Sequence, residues 1–325
     1  MPTFVNLPTH RPPPSKWKLL VQSYVALLIA TLLGVVASTP AIYSRIRCYS
    51  EMTYRVSSLP SDDETLVTWA RSQPGVISFQ AERRNGNLWI RLEYSAALTQ
   101  RPSTGDVIAK LTELNYRLSG MADGSMGMAN GYREVLTDPK TLGAILAGMQ
   151  VAFSFVGLNR LYAAARQGQP LPPLFPGNHR RAVLVGAFGG LLLLALGLLN
   201  SLVLRLSPLQ SPPSPWDEAK AMPLATKAVF LVFGTLGAPL AEELFFRGYM
   251  FGKFQQAGYV PFGILISSLL FGVVHFSDPY NVPAICLYGI VLATLYHRTG
   301  SLLSSIVAHA VNNGIAITSL ILGWG

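Results

Sequence analysis

The sequence predicts a mainly α-helical, polytopic membrane bundle of about seven spans, with a small soluble α+β domain inserted after the first span. Three observations carry that prediction. Of 325 residues, 50% are hydrophobic and only 13% are charged, against about 25% charged in an ordinary soluble domain. Six stretches of 19 to 27 residues carry no Asp, Glu, Lys or Arg. The charges that exist are concentrated: residues 45–140 hold 12 of the 25 Lys/Arg and 11 of the 16 Asp/Glu. A mean hydropathy of +0.36 agrees. An ordinary soluble enzyme, a disordered chain and a disulfide scaffold are excluded.

The first span lies in the 26 residues between Lys18 and Arg45. A bilayer core of about 30 Å needs roughly 20 apolar residues as a helix. Basic residues before this stretch and Ala37-Ser38-Thr39 after it resemble a signal peptide. The apolar run is much longer than the usual 7–15 residues or so, so residues 1–45 are read as a tail and an uncleaved anchor.

Residues 46–140 read as the soluble domain. Ser61-Asp62-Asp63-Glu64 has the form of a capping box that opens a helix. Ile77, Phe79 and Ala81 alternate with polar residues, Asn85-Gly86 is a hairpin turn, and Leu88, Ile90, Leu92 and Tyr94 continue the alternation. Thr104 can cap a second helix through Ile108, Leu111 and Leu114. Strands over Met52 to Ser57 and near Tyr116 to Ser119 complete β-α-β-β-α-β, a ferredoxin-like order. The domain resembles heavy-metal-associated domains in outline but has no Cys-x-x-Cys, so no metal is expected there. Cys48 and Cys286 are the two cysteines, and no disulfide between them is expected.

Residues 141–219 hold the second and third spans with Pro-rich connectors over Pro170 to Pro176 and Ser211 to Trp216. Outside residues 45–140 there are 13 basic and 5 acidic residues. Arg11, Lys16 and Lys18 precede span one, and Arg160, Arg166, Arg180 and Arg181 flank the loop between spans two and three. Positive loops stay cytoplasmic, so the N-terminus is expected inside and residues 46–140 outside. The net charge of +9 is thus a topology signal, and no nucleic-acid partner is expected.

Residues 220–325 form the last segment, and it carries chemistry. Ala228 to Phe254 is apolar except for Glu242, Glu243, Arg247 and Lys253. As one helix it places both glutamates near mid-membrane, with Pro239 able to kink it just before them. Each ionisable group there costs at least about 2.5–3.5 kcal/mol. Glu243 and Arg247 are spaced i, i+4 and can pair. Glu242 is rotated about 100° away, which leaves it free for chemistry. The next span holds Phe271 and His275, the last His309 and Asn313, again at i, i+4. Carboxylate, two imidazoles, amide and guanidinium could activate a water and stabilise an oxyanion. A lone His or Asn in a membrane helix often serves only an interhelical hydrogen bond; three such motifs in succession point further. No Gly-x-Ser-x-Gly or His-Glu-x-x-His is present.

Glu242-Glu243-x-x-x-Arg247, Phe271-x-x-x-His275 and His309-x-x-x-Asn313 resemble the three motifs of the CPBP family, which includes type II CAAX prenyl proteases and bacteriocin-processing or immunity proteins. The resemblance covers roughly Lys220 to Gly325 and does not extend to the soluble domain. It implies an intramembrane endopeptidase. Glu242 would be the general base, with His275 helping to bind and polarise the water. His309 and Asn313 would form the oxyanion hole, and Glu243, Arg247 and Phe271 would support the site. The substrate would be a membrane protein or hydrophobic peptide. Two mechanisms stay open: a metal-independent, glutamate-activated water, preferred here, and a zinc site on Glu242, His275 and His309. The rival functions are a non-catalytic immunity or scaffold protein that binds a hydrophobic peptide, and a transporter.

Overall fold

The computed structural model describes residues 14–58, 64–95, 102–129, 135, 138–168, 178–207, 222–275 and 279–323. The Ser61–Asp63 part of the expected capping box and both Pro-rich connectors lie outside the described residues. The chain divides into two compact units, Met1–Ser38 with Leu142–Gly325, and Thr39–Thr141.

Among the described residues the first element is α1 (Lys16–Arg45). The second unit then runs β1 (Arg47–Ser58), α2 (Glu64–Ser72), β2 (Val76–Arg84), β3 (Asn87–Ser95), α3 (Thr104–Glu113) and β4 (Arg117–Met128). Its sheet is antiparallel in the order β2-β3-β1-β4. Met52, Tyr54, Leu88, Ile90 and Leu92 pack against Leu66 and Ala70 of α2 and Val107 and Leu111 of α3. The Asn85-Gly86 turn is present, with φ of 52° and 77°, the positive values that a two-residue hairpin needs.

Three details differ from the sequence reading. β1 and β4 are longer than expected, because they pair with each other from Cys48↔Met128 to Ser58↔Arg117. Pairing rather than propensity extends the Gly- and Ser-rich β4. A bulge between Val76 and Ser78 shifts the register against β3, and one extra residue changes the face of its neighbours. Ile77 is therefore 44% exposed while Phe79 is buried. The cap of α3 is Ser103, not Thr104: its hydroxyl accepts from Asp106 N, and the Asp106 carboxylate accepts from Ser103 N.

The first unit adds to α1 the helices α4 (Pro139–Arg166), α5 (His179–Leu206), α6 (Leu224–Gln256), α7 (Val260–Val273), α8 (Val282–Thr299) and α9 (Leu302–Leu322). Among the described residues five helices, α1, α4, α5, α6 and α9, are long and apolar enough to cross a membrane. The other two expected spans correspond to α7 and α8. α7 has only 14 residues, since Gly258 at φ 83° ends the preceding helix and Pro261 begins the next. α8 has 18 residues but is interrupted in its apolarity by Tyr288, Thr294, Tyr296, His297 and Arg298.

Close helix contacts fix the elements that bear the motifs. A Cβ at Gly186 or Gly190 of α5 would run into the Ser304 or Ala308 carbonyl of α9. A Cβ at Gly289 of α8 would run into the Ser268 backbone of α7. Small residues let backbones approach where lipid supplies no hydrophobic drive between helices. Phe153, Phe245, Phe246, Phe254, Phe271 and Ala308 belong to the buried core between these helices.

Candidate active site

The site is built around a local irregularity in α6. The helix widens to π-helical turns at Phe233–Gly237 and Leu244–Phe251, on either side of Ala238–Glu243. π-turns inside α-helices cluster at functional sites. Here the first has an identifiable cause. Ala238 N–H donates to Phe233 O, so the next carbonyl, Gly234 O, would need the N–H of residue 239. That residue is proline and has none. A buried carbonyl without a donor is costly, and a side chain from another helix supplies it. Asn313 Nδ2 of α9 donates to Gly234 O at 3.0 Å. Gln150 Nε2 of α4 donates to Phe233 O at 3.0 Å. The turn that leads into the two glutamates is thus held from two sides.

Glu243 and Arg247 are both fully buried and form the pair that their i, i+4 spacing predicts, Arg247 Nη1 donating to Glu243 Oε1 at 2.7 Å. Arg247 Nη2 donates to Gly289 O at 3.4 Å. The guanidinium lies 4.3 Å from the centre of the Phe271 ring, a cation–π contact strengthened by desolvation. Removing one member of such a pair leaves an uncompensated buried charge.

His309 bridges the two glutamates. Its Nδ1 is 3.0 Å from Glu243 Oε1, and its Nε2 is 3.9 Å from Glu242 Oε2. A carboxylate can only accept, so Nδ1 carries a proton and the Nε2 side faces Glu242. The His309 ring stands edge-on to Phe271, with centroids 5.8 Å apart at 85°. Glu242 differs from its neighbour: its side chain is 23% exposed, against 0% for Glu243. Glu242 Oε2 is nevertheless buried and has no hydrogen-bond partner, as is the case for Glu243 Oε2 and Arg247 Nε.

His275 lies in the turn just past α7 rather than within a span. Its N–H donates to Gly272 O at 3.0 Å, which tightens the helix end. Its Nδ1 is 2.7 Å from Phe271 O. A carbonyl accepts only, so Nδ1 donates and the neutral ring keeps its lone pair on Nε2. The His275 ring packs 5.0 Å from that of Phe271. Phe271 thereby touches His275, His309 and Arg247. Glu242, Glu243, Arg247, Phe271 and His309 are brought together. Among the described residues His275 and Asn313 make no hydrogen bond to Glu242.

Two residues outside the sequence motifs hold the site. Gln150 is described above. Asn312 is buried and its Nδ2 donates to Asn313 Oδ1 at 3.1 Å, which leaves the Asn313 Nδ2 directed to Gly234 O. Gln150 is the only strongly polar side chain between Thr141 and Ser154, and a lone amide in a membrane helix was its available signal. Among the described residues no group of three His, Cys, Asp or Glu converges as metal ligands in this arrangement; the Phe271 carbonyl on His275 Nδ1 leaves the Nε2 lone pair open.

Residues 224–315 match the family described as type II CAAX prenyl endopeptidase Rce1-like. A relative from Bacillus subtilis (strain 168), named "Putative membrane peptidase YdiL", is 31% identical over 101 residues, 31% of this chain and 39% of the relative. The chain therefore spans about 39% of the length of that relative. No solved structure matches the chain. The family match encloses all three motifs, and together with the relative it supports the resemblance to the CPBP proteases.

Proposed function

We propose that the chain is a membrane-embedded endopeptidase in which Glu242 activates a water that attacks a peptide bond. The observation that carries this reading is the unequal treatment of adjacent glutamates. Glu243 is held by Arg247 and His309, whereas Glu242 Oε2 is buried, unpartnered and 3.9 Å from His309 Nε2. An orphaned acceptor beside an imidazole is where a water would be bound and deprotonated. His275 Nε2 is available to accept from the same water. Asn313 and, once its Nε2 has taken a proton, His309 are the proposed oxyanion donors. Asn313 Nδ2 carries two N–H groups, so one can hold Gly234 O while the other is offered to the oxyanion. The mechanism proposed is metal-independent.

The substrate is a membrane protein or hydrophobic peptide. The basic residues Lys16, Lys18, Arg160, Arg166, Arg180 and Arg181 support a cytoplasmic N-terminus and an extracytoplasmic residue 46–140 domain. That domain's element order and its β2-β3-β1-β4 sheet support a ferredoxin-like fold and an accessory role. α7 and α8 would complete the bundle of about seven membrane-embedded helices.

The test compares membrane proteomes of cells with the wild-type chain and with Glu242→Gln. Fragments lost with Glu242→Gln support proteolysis and identify the substrate. Identical fragment sets reject it. Zinc content and chelator sensitivity of the purified protein address the mechanism separately: stoichiometric zinc with chelator-sensitive cleavage rejects the metal-independent step.

A further inference from the structure

We infer that Cys48, Met126 and Met128 form a binding site for a soft monovalent cation, Cu(I), on the Thr39–Thr141 unit. Pairing across strands, not spacing along the chain, groups them. Cys48 of β1 stands opposite Met128 of β4, and Ser50 stands opposite Met126, in a register unbroken from Cys48 to Thr53. Paired residues, and those two apart on one strand, leave the same face of a sheet, so all three side chains share a face. It is the face that carries α2 and α3, since Cys48 packs against the core that holds Met52, Tyr54, Leu66 and Leu111. Cβ atoms directly opposite lie about 4.5–5.5 Å apart, and diagonal ones about 7–8 Å. A methionine sulfur stands two bonds beyond Cβ on an unbranched, rotatable chain. Two thioethers and the thiol can therefore close on one ion with the backbone as it is.

Neither burial nor strand propensity accounts for these sulfurs. Met126 is 72% exposed and Met128 41%, and β-branched or aromatic residues suit a strand better than methionine. Cys48 is a free, half-buried thiol. The sulfur-bearing side chains continue along the same face. Met121, 58% exposed, pairs with Tyr54, and a Cβ at Gly124 would meet its sulfur at 3.6 Å. Met52, opposite Gly124, is buried, and its sulfur accepts from the Tyr54 hydroxyl at 3.2 Å. Met52 is thus engaged in the core, whereas Met126 and Met128 present their sulfurs outward.

The donor set selects the metal. Thioether and thiolate sulfurs favour Cu(I), while Zn(II) takes thiolate, imidazole or carboxylate. Among the described residues no three His, Cys, Asp or Glu lie together, so Zn(II) has no rival set on this unit. Binding involves no redox change. Cu(I) accepts one lone pair from each sulfur, and the Cys48 thiol gives its proton to solvent as the copper–sulfur bond forms. The absence of Cys-x-x-Cys, which argued against a metal in this domain, does not bear on a site assembled across strands. The inference does not depend on the peptidase reading.

The experiment is an anaerobic titration of the purified full-length chain with Cu(I) against bicinchoninate, a chromophoric Cu(I) ligand. X-ray absorption on the loaded protein identifies the atoms around copper. Wild type should withdraw one equivalent of Cu(I), with sulfur as its nearest neighbours. The double variant Met126→Leu with Met128→Leu should lose that equivalent, and so should Cys48→Ser. Leucine conserves the volume of methionine, so the double variant should melt with wild type in the absence of metal, which separates ligand loss from misfolding. From pH 6 to pH 7 the wild-type affinity should rise about tenfold, because one thiol proton is released. An equal concentration of Zn(II) should displace nothing. No Cu(I) withdrawn by wild type, equal withdrawal by wild type and both variants, or displacement by Zn(II) overturns the site.

Discussion

His309 Nδ1 lies 3.0 Å from Glu243 Oε1, and this contact decides which edge of the imidazole faces Glu242. Glu243 thus has a positional task as well as an electrostatic one. It holds Arg247 with the same oxygen and sets the His309 tautomer. The line Arg247, Glu243, His309, Glu242 joins a fixed, desolvated ion pair to a carboxylate with an unused acceptor.

Breaking the ion pair should destabilise the bundle strongly. Arg247→Met leaves Glu243 buried and uncompensated, at a cost of about 3–5 kcal/mol. Adding Glu243→Gln removes the orphaned charge and should recover more than half of that loss. Melting of the single and double variants in detergent measures the coupling. Additive losses would show that the pair carries no mutual stabilisation.

The donor roles of Gln150 and Asn313 follow from Pro239. Gln150→Leu should cost about 0.5–1.5 kcal/mol by removing one of the two donors to Phe233 O in a part-buried site. Pro239→Ala restores the N–H that Gly234 O lacks. The loss caused by Asn313→Leu should therefore shrink by more than half when Pro239→Ala is also present. An unchanged loss would refute the assignment of Gly234 O as the carbonyl that proline orphans.

Much of this site was legible in sequence because helix geometry is local. The i, i+4 spacing of Glu243 and Arg247 predicts their pairing, and the bond is there at 2.7 Å. The 100° rotation between neighbours predicts that Glu242 stands apart, and its exposure differs. Gln150 and Asn312 were not legible, since their importance depends on carbonyls 83 and 79 residues away from Gln150 and Asn313. Pro239 reads as a kink but not as a π-turn, because which carbonyl is orphaned depends on the turn adopted. In the soluble unit, alternation locates the strands, while the bulge that exposes Ile77 arises from pairing with β3. Charge-free length overcounts membrane-capable helices: the stretch between Lys253 and Asp278 yields only the 14 residues of α7.

The capping box of α3 makes a pH-dependent prediction. The Ser103 hydroxyl, together with its backbone N–H, holds the Asp106 carboxyl below its ordinary value. A depressed folded pKa contributes stability that is present above the unfolded value of about 3.9. That stability is lost as pH falls through the lower folded pKa. Amide exchange over residues 104–113 in the intact chain should accelerate, after correction for intrinsic rates, between pH 5 and pH 3. Ser103→Ala should abolish most of that pH dependence. Equal dependence in both proteins would contradict the cap.

Close packing of α5 on α9 should matter to His309 without touching it. Gly190→Leu places a side chain against the Ala308 carbonyl and Val311. Overpacking of this kind costs about 1–3 kcal/mol, and it should lower cleavage at least tenfold by displacing His309. Gly197→Leu, further along α5 against Tyr288, should have less effect on cleavage for a similar loss in melting temperature. Equal losses of activity would point to general destabilisation instead.

The most direct measurement is cleavage of a substrate fragment, identified in wild-type membranes, by purified wild type, Glu242→Gln and His309→Ala at matched membrane levels. The account predicts cleavage by wild type and none by either variant, with Glu242→Gln melting close to wild type. Cleavage retained by Glu242→Gln at the wild-type rate would contradict a water activated by Glu242.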